Sequence, residues 1–326
     1  MRVGIVGTGL IGGKRANALR PEQVLVGAFD VNKKSLLDFA QKFETEVFET
    51  QQSLYDSVGP GGLIVIATNH VALAQSAQAA LEAGCHVLVE KPGARNANEF
   101  QSVVALAMKK ELILRVGYNH RFHPAIQFLK KFTDTSELGP VQLIRAVYGH
   151  GGRPGYETEW RASKELAGGG ELLDQGSHLL DLCQHLVGSI EVEFSSLPNL
   201  YWNMEVEDNA FIFGRSPKGA KLWLHASWTE WKNKFQFEVF YKTGKIEISG
   251  LGGSYGPETC VIYTMPNGLG IPTSVEHVTN ETDMSWQLEM EDVVNQISGK
   301  SFSGATGIEA LGTLRLIEGA YKIDNK

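Results

Sequence analysis

Val3-Gly4-Ile5-Val6-Gly7-Thr8-Gly9-Leu10-Ile11-Gly12 decides how the first third of this chain folds. A short apolar run, Arg2–Val6, leads straight into G-x-G-x-x-G, and helical spacing follows. In a strand–turn–helix, Gly7 permits the tight turn, Gly9 has no side chain to obstruct a pyrophosphate, and Gly12 lets helix and strand pack closely. The first N–H groups of the helix are then open to phosphate oxygens. Alone, such a turn is a weak sign, because glycines also serve purely structural turns. The second apolar run, Val24–Phe29, ends at Asp30, 18 residues after Gly12. A carboxylate there accepts hydrogen bonds from both hydroxyls of an adenosine ribose and repels a 2′-phosphate, which favours NAD over NADP. Lys33 and Lys34 follow closely and soften that preference.

Outward from this turn, short apolar runs alternate with helical stretches. Glu46–Phe48, Leu63–Ala67, His86–Glu90 and Leu112–Val116 read as further strands, nearly unbroken in apolar character as strands covered on both faces are. Ala72, Ala79, Ala80 and Ala83 share one helical face, and Gly84 stops that helix. Alternation of this kind implies a doubly wound parallel sheet, an α/β Rossmann domain over residues 1–119. After Gly117 the pattern changes. Pro124 starts a helix to about Phe132, Val141–Tyr148 reads as a strand, and Gly168-Gly169-Gly170 leads into a helix reaching about Val187. From Glu191 to Tyr263 the period is mostly two, as in half-buried antiparallel strands. Residues 120–326 are therefore expected to form an α+β domain around a large, open-faced, mostly antiparallel sheet. Two helices close the chain, and the last, about 305–323, is placed as one that can return to the first domain. Trp223, Trp228 and Trp231 are expected to fill core for the most part, and an exposed apolar sheet face would suit a homodimer or homotetramer.

The 30 basic and 37 acidic side chains leave a formal charge of −7, which argues against a nucleic-acid or anionic-membrane binder. No apolar run approaches the roughly 18 residues that span a bilayer. Cys85, Cys183 and Cys260 are odd in number and contain no C-x-x-C, which fits a reducing, cytoplasmic setting.

Two features carry chemistry. Lys91 closes the run His86–Glu90 and precedes Pro92. A lysine ending a buried strand either snorkels to water or has a job, since desolvation disfavours its charge. In a doubly wound sheet the carboxyl ends of the strands are where ligands bind, and that favours the second reading. Asp174 and His178 are spaced i, i+4, so on a helix they share a face. A carboxylate near an imidazole fixes its tautomer and suits a general base; the plainer reading is a surface helix pair. The preceding glycines favour backbone held close to a ligand. His120 and His123 are three apart, but without a cysteine or carboxylate cluster they do not argue for a metal. His123 instead suits the start of the helix at Pro124.

Together these residues resemble the Gfo/Idh/MocA family of NAD(P)-dependent oxidoreductases. The likeness rests on Gly7–Gly12, Glu90-Lys91-Pro92, Gly117-Tyr118-Asn119-His120-Arg121-Phe122-His123-Pro124, Trp160-Arg161, and Gly169-Gly170 through Asp174 and His178, in the family's order. The resemblance implies Lys91, Asp174 and His178 as the catalytic set. It implies a cofactor site that includes Gly7, Gly9, Leu10, Ile11, Gly12, Asp30, Thr68, Asn69, His70, Glu90 and Lys91. In one place the chain departs from the pattern: the family's Pro-Asn with a histidine three residues later is replaced by Asn69-His70, with Leu73 at the later position. Tyr118, Asn119 and Arg121 either border the substrate or serve the domain junction. Arg161, beside Trp160, suits a polyhydroxyl, carboxylate or phosphate group, or a domain-bridging ion pair. Asp181 lies one turn past His178 and is placed to orient it, while His185 reads as structural. The expected activity is hydride transfer between NAD and a secondary alcohol of a sugar, sugar derivative or cyclitol. The rivals are an enzyme with transient oxidation and no net redox change, of the hydrolase or epimerase type, and a non-catalytic dinucleotide-binding sensor.

Overall fold

A computed structural model describes residues 1–266, 268–280 and 282–325 of the chain. The chain divides into two compact units. In the first, β1 (Arg2–Val6), α1 (Leu10–Asn17), β2 (Val24–Phe29), α2 (Lys33–Phe43), β3 (Glu46–Val47), α3 (Gln51–Val58), β4 (Leu63–Ile66), α4 (His70–Glu82), β5 (His86–Glu90), α5 (Ala97–Lys109) and β6 (Leu114–Gly117) alternate. The six strands form one parallel sheet ordered β3-β2-β1-β4-β5-β6, with a reversal between β1 and β4. Every residue of β4 is buried, which explains why the central runs are apolar without alternation.

The later elements are α6 (Pro124–Thr135), β7 (Val141–Gly149), α7 (Lys164–Ala167), α8 (Ser177–Val187), β8 (Glu191–Ser196), β9 (Asn209–Arg215), β10 (Lys221–Ser227), β11 (Lys234–Tyr241), β12 (Gly244–Ser249), β13 (Glu258–Thr264), β14 (Thr273–Asn280), α9 (Ser285–Ile297) and α10 (Gly307–Asp324). Eight of the strands form the sheet β14-β13-β12-β11-β7-β10-β9-β8, antiparallel except where β7 and β10 run together. Helices α6 and α8 cover one face. On the other face Phe194, Phe213 and Trp223 are 53%, 42% and 44% exposed. Trp223, Trp228 and Trp231 were expected to fill core for the most part, but only Trp228 is buried; Trp223 lies on the open sheet and Trp231 in a loop.

A single cut after residue 119 does not describe the division. Glu165–Gly168 and Trp286–Gly312 belong to the first unit, and α10 is shared, with Thr313–Lys326 counted in the second. The reason is packing: Met290 and Val293 of α9 are buried in the same core as Val3, Ile5 and Leu88. No helix among the described residues is long and apolar enough to cross a membrane.

Candidate active site

In the first unit the turn after β1 has the shape its glycines imply. Gly7 sits at φ +94°, and a side chain there would collide with the carbonyl of Ala67. A side chain at Gly12 would strike the carbonyl of Gly7, whereas at Gly9 one would meet open space. Helix α1 has no side chain capping its first N–H groups, and Leu10 is exposed at its start. A cleft of about 490 Å³ opens beside Gly9 between α1 and α2, with Thr8, Lys14, Asn32 and Ser35 among its walls. Asp30 is fixed by three donors: Thr8 N–H at 2.7 Å, Thr8 Oγ1 at 3.0 Å and Asn32 N–H at 2.8 Å. A carboxylate offers about four acceptor positions, so this anchoring leaves capacity for a ribose hydroxyl. Lys34 is drawn to Asp38 at 2.6 Å, which directs its charge along α2. These residues fit a dinucleotide: an open turn, unclaimed helix N–H groups and an oriented carboxylate.

Glu90 and Lys91 end β5. The Lys91–Pro92 peptide is cis, and Lys91 is half-buried. Glu90 is buried and grips Arg15, whose Nε and Nη2 lie 2.6 and 2.5 Å from its Oε1. Nη1 of the same guanidinium meets Glu289 of α9 at 2.5 Å. Burial pushes the Glu289 carboxyl up to about 7, against the pull of Arg15. This carboxylate–guanidinium–carboxylate bridge ties α1 to the strand that carries Lys91, and the motifs gave no sign of it beyond a charged residue on the inner face of α1. Asn69 precedes α4 without capping it through its side chain. His70 is buried with Nδ1 2.9 Å from the carbonyl of Ala167, so that ring is held by the Glu165–Gly168 segment. Leu73 is core.

In the second unit Asp174 lies in a π-helical turn, Leu172–Gly176, and His178 in the first turn of α8. The regular i, i+4 geometry expected for the pair is therefore interrupted; π turns of this kind recur at functional sites. The turn is anchored from behind. The Glu207 carboxylate accepts N–H groups of Gly170 and Leu172, each at 3.1 Å, and the Tyr321 hydroxyl at 2.7 Å. Side chains at Gly169 and Gly170 would collide with Tyr321 and with the Glu207 backbone. The glycines thus serve close packing within the protein, where a ligand was the expected neighbour.

The His178 ring is buried and stacked on His120, centroids 3.8 Å apart and planes at 27°. Tyr148 meets it edge-on at 6.1 Å and also contacts His120 at 5.1 Å. The Tyr148 hydroxyl is bonded to Tyr255, which also accepts Gln175 Nε2 at 3.2 Å. Burial pushes Tyr255 up to about 12 and Tyr148 well above its ordinary value, so both phenols stay protonated. Arg161, stacked on Trp160 at 4.5 Å, places Nε 3.4 Å from Asp174 Oδ2 and Nη1 3.6 Å from Glu159. The arginine beside the tryptophan is thus an ion-pair partner of Asp174 within the same unit.

Arg121 is buried and bidentate to Asp181, at 2.8 and 2.7 Å. That pair fastens the Asn119–Phe122 turn to α8 and gives Asp181 an arginine partner. His123 stands before α6, but its Nδ1 lies 2.8 Å from Glu258, whose other oxygen takes the N–H of Ala125. His120 and His123 therefore have separate partners. Tyr118 and Asn119 are buried. His120, Tyr148 and Tyr255 were not singled out as site residues; for Tyr148 the available signal was a tyrosine on the buried face of β7.

Comparison with known proteins extends these observations. Residues 1–118 match the profile described as "Oxidoreductase family, NAD-binding Rossmann fold", and residues 126–247 that of the GFO/IDH/MocA C-terminal domain. A D-glucoside 3-dehydrogenase of Escherichia coli is 30% identical over 99% of this chain and 95% of its own length. A levoglucosan dehydrogenase of Pseudarthrobacter phenanthrenivorans is 33% identical over 41% of this chain, and the match spans only 34% of that protein. The match to a UDP-N-acetylglucosamine 3-dehydrogenase of Acidithiobacillus ferrooxidans likewise spans 41% of that protein, at 30% identity and over 40% of this chain. Among solved structures, levoglucosan dehydrogenase in complex with NADH and levoglucosan superposes with a TM-score of 0.89, at 20% identity, covering 100% of this chain and 97% of that one. With both profiles matched in order and a relative aligned end to end, the chain belongs to the Gfo/Idh/MocA family of oxidoreductases, and its first unit is the family's NAD-binding Rossmann fold.

Proposed function

We propose that the protein is an NAD-dependent dehydrogenase acting on a secondary alcohol of a sugar, sugar derivative or cyclitol. The observation that carries this reading is the His178 ring, buried against His120 and Tyr148 just after a π turn that presents Asp174, in a chain whose first unit holds an open dinucleotide turn. The relatives named as D-glucoside 3-dehydrogenase and levoglucosan dehydrogenase support the substrate class.

In this reading Gly7, Gly9, Leu10, Ile11, Gly12 and Asp30 hold the phosphates and adenosine ribose, with Thr68, Asn69, His70, Glu90 and Lys91 toward the nicotinamide. When bound, NAD supplies the acceptor for the hydride of the alcohol carbon. His178 takes the hydroxyl proton at its imidazole. Asp174, steadied by Arg161, holds a neighbouring hydroxyl or orients His178. Lys91 hydrogen-bonds the reacting oxygen and stabilises the charge that develops there. Trp160 and Arg161 border the substrate, as do Tyr118 and Asn119; Arg121 contributes through Asp181. The open face around Phe194, Phe213 and Trp223 joins copies of the chain into a dimer or tetramer, because an apolar patch of that kind is rarely left in water. Three buried free thiols suit a reducing compartment such as the cytoplasm.

The test is a panel of glycosides, aldoses, uronic acids and cyclitols with NAD, read at the NADH absorbance. NADH accumulating one-for-one with ketone product is the expected result. Product formation with no NADH would turn the reading to transient oxidation, and binding of NAD without turnover of any of these compounds would leave a sensor.

A further inference from the structure

Two exposed aromatic rings in the second unit have no part in the roles assigned so far. Tyr201, in the β8–β9 connection, is 63% exposed, and Trp231, between β10 and β11, is 62% exposed. The rings meet edge to face with centroids 4.6 Å apart. Both are held by built supports. The Asp208 carboxylate accepts the N–H groups of Leu200, Tyr201 and Trp202 at 2.8, 2.8 and 2.9 Å, so the Tyr201 backbone is locked. Trp202 contacts Tyr201 at 5.1 Å and donates Nε1 to the carbonyl of the buried Trp228 at 3.0 Å. Trp231 has φ +55°, and Lys232 N–H bonds back to the Glu230 carbonyl at 2.6 Å. That is a tight three-residue turn in a backbone region that large side chains avoid, and it projects the indole outward. Chains keep such strain mainly where a side chain must be presented.

The platform also connects to Asp174. Arg161 reaches Asp174 and Glu159; Glu159 takes Arg153 at 2.6 Å; Arg153 lies over Tyr156, whose ring meets Trp202 at 5.7 Å. Its surroundings are near neutral, because Glu230 and Lys232 flank Trp231 and Arg153 is engaged by Glu159. A neutral aromatic face suits the C–H face of a pyranose better than a nucleotide diphosphate, which calls for open guanidinium groups.

We propose that Tyr201 and Trp231 form an outer subsite for a second, uncharged sugar ring, so that the substrate is a glycoside or disaccharide whose oxidised ring is the one at Asp174 and His178. This rests on the dehydrogenase reading above. The kinetic test compares methyl β-glucoside with cellobiose in the full-length protein and in Trp231→Ala and Tyr201→Ala. Loss of one stacking face should raise KM for cellobiose about five- to tenfold while methyl β-glucoside changes by less than about twofold. Equal effects on both sugars, or none, overturn the subsite. A larger effect on UDP-glucose than on cellobiose overturns the uncharged ring. A change in sedimentation with unaltered sugar preference overturns it in favour of a contact between copies. Saturation-transfer NMR with cellobiose separates this proposal from the dehydrogenase reading. If no sugar is oxidised, transfer that is present in the wild type and lost in Trp231→Ala still supports the subsite, and absence of transfer in the wild type overturns it.

Discussion

The dinucleotide turn and the box around His178 are built on opposite plans. The turn is local: Gly7 to Gly12 are contiguous, and Asp30 comes from the next strand and bonds straight back to Thr8. The box is assembled from three separated segments, with His120 from the turn before α6, Tyr148 from the end of β7 and His178 from α8, held by side-chain pairs drawn from distant parts of the chain. The difference teaches where each region is vulnerable. The turn fails by losing a ligand contact. The box fails when the scaffold beneath it moves, and the buried ion pair Arg121–Asp181 is part of that scaffold.

The sharpest way to break this contrast is His178→Ala. Loss of a general base should lower kcat by about 10²–10⁴ with NAD affinity unchanged; turnover within tenfold of wild type would remove His178 from the chemistry. Next comes Arg121→Leu, which takes the bidentate guanidinium away from the buried Asp181 carboxylate. It should cost about 3–5 kcal/mol in urea unfolding, with Arg121→Leu/Asp181→Leu recovering most of the loss. A single variant as stable as wild type would mean that the pair is not part of the scaffold. In the turn, Asp30→Ala should weaken NAD about tenfold by titration calorimetry and narrow its advantage over NADP, as removal of one charge-assisted contact does. An unchanged preference would assign Asp30 to the turn's own hydrogen bonds alone.

The smallest effect is on pH dependence. The Glu289 carboxyl rises from its ordinary 4.5 to about 7 because burial favours its neutral form. The folded protein therefore holds a proton that the unfolded chain releases, and this contribution to stability is full below about 4.5 and lost as pH rises through about 7. Glu289→Gln should flatten the decline of the thermal midpoint between about pH 5 and pH 8; an identical slope in both proteins would contradict the assignment.

How far the site was legible follows from this contrast. The glycine turn and Asp30 could be read because their spacing is set by one strand, one turn and one helix. Asp174 and His178 were visible as a spaced pair, but the π turn between them was not, since it depends on Glu207 and Tyr321 taking up the backbone groups behind it. For Arg121 a substrate contact and a structural role stay equally open from the sequence, because nothing in its neighbourhood along the chain announces Asp181, 60 residues away. The same limit applied to Trp231: its type suggests core, and only the tight turn at φ +55° puts it outside.

By itself the sequence determined the alternation that makes the first sheet parallel, the open turn for a dinucleotide, and the residue types proposed for the proton chemistry. Those depend on periodicity and on backbone sterics, which act over a few residues. The tertiary structure alone decided which charges neutralise one another, which imidazole stacks on which, and that α9 belongs with the first unit. Those outcomes depend on burial, where an unpaired charge or an empty volume is costly and the partner that relieves it can come from any distance along the chain.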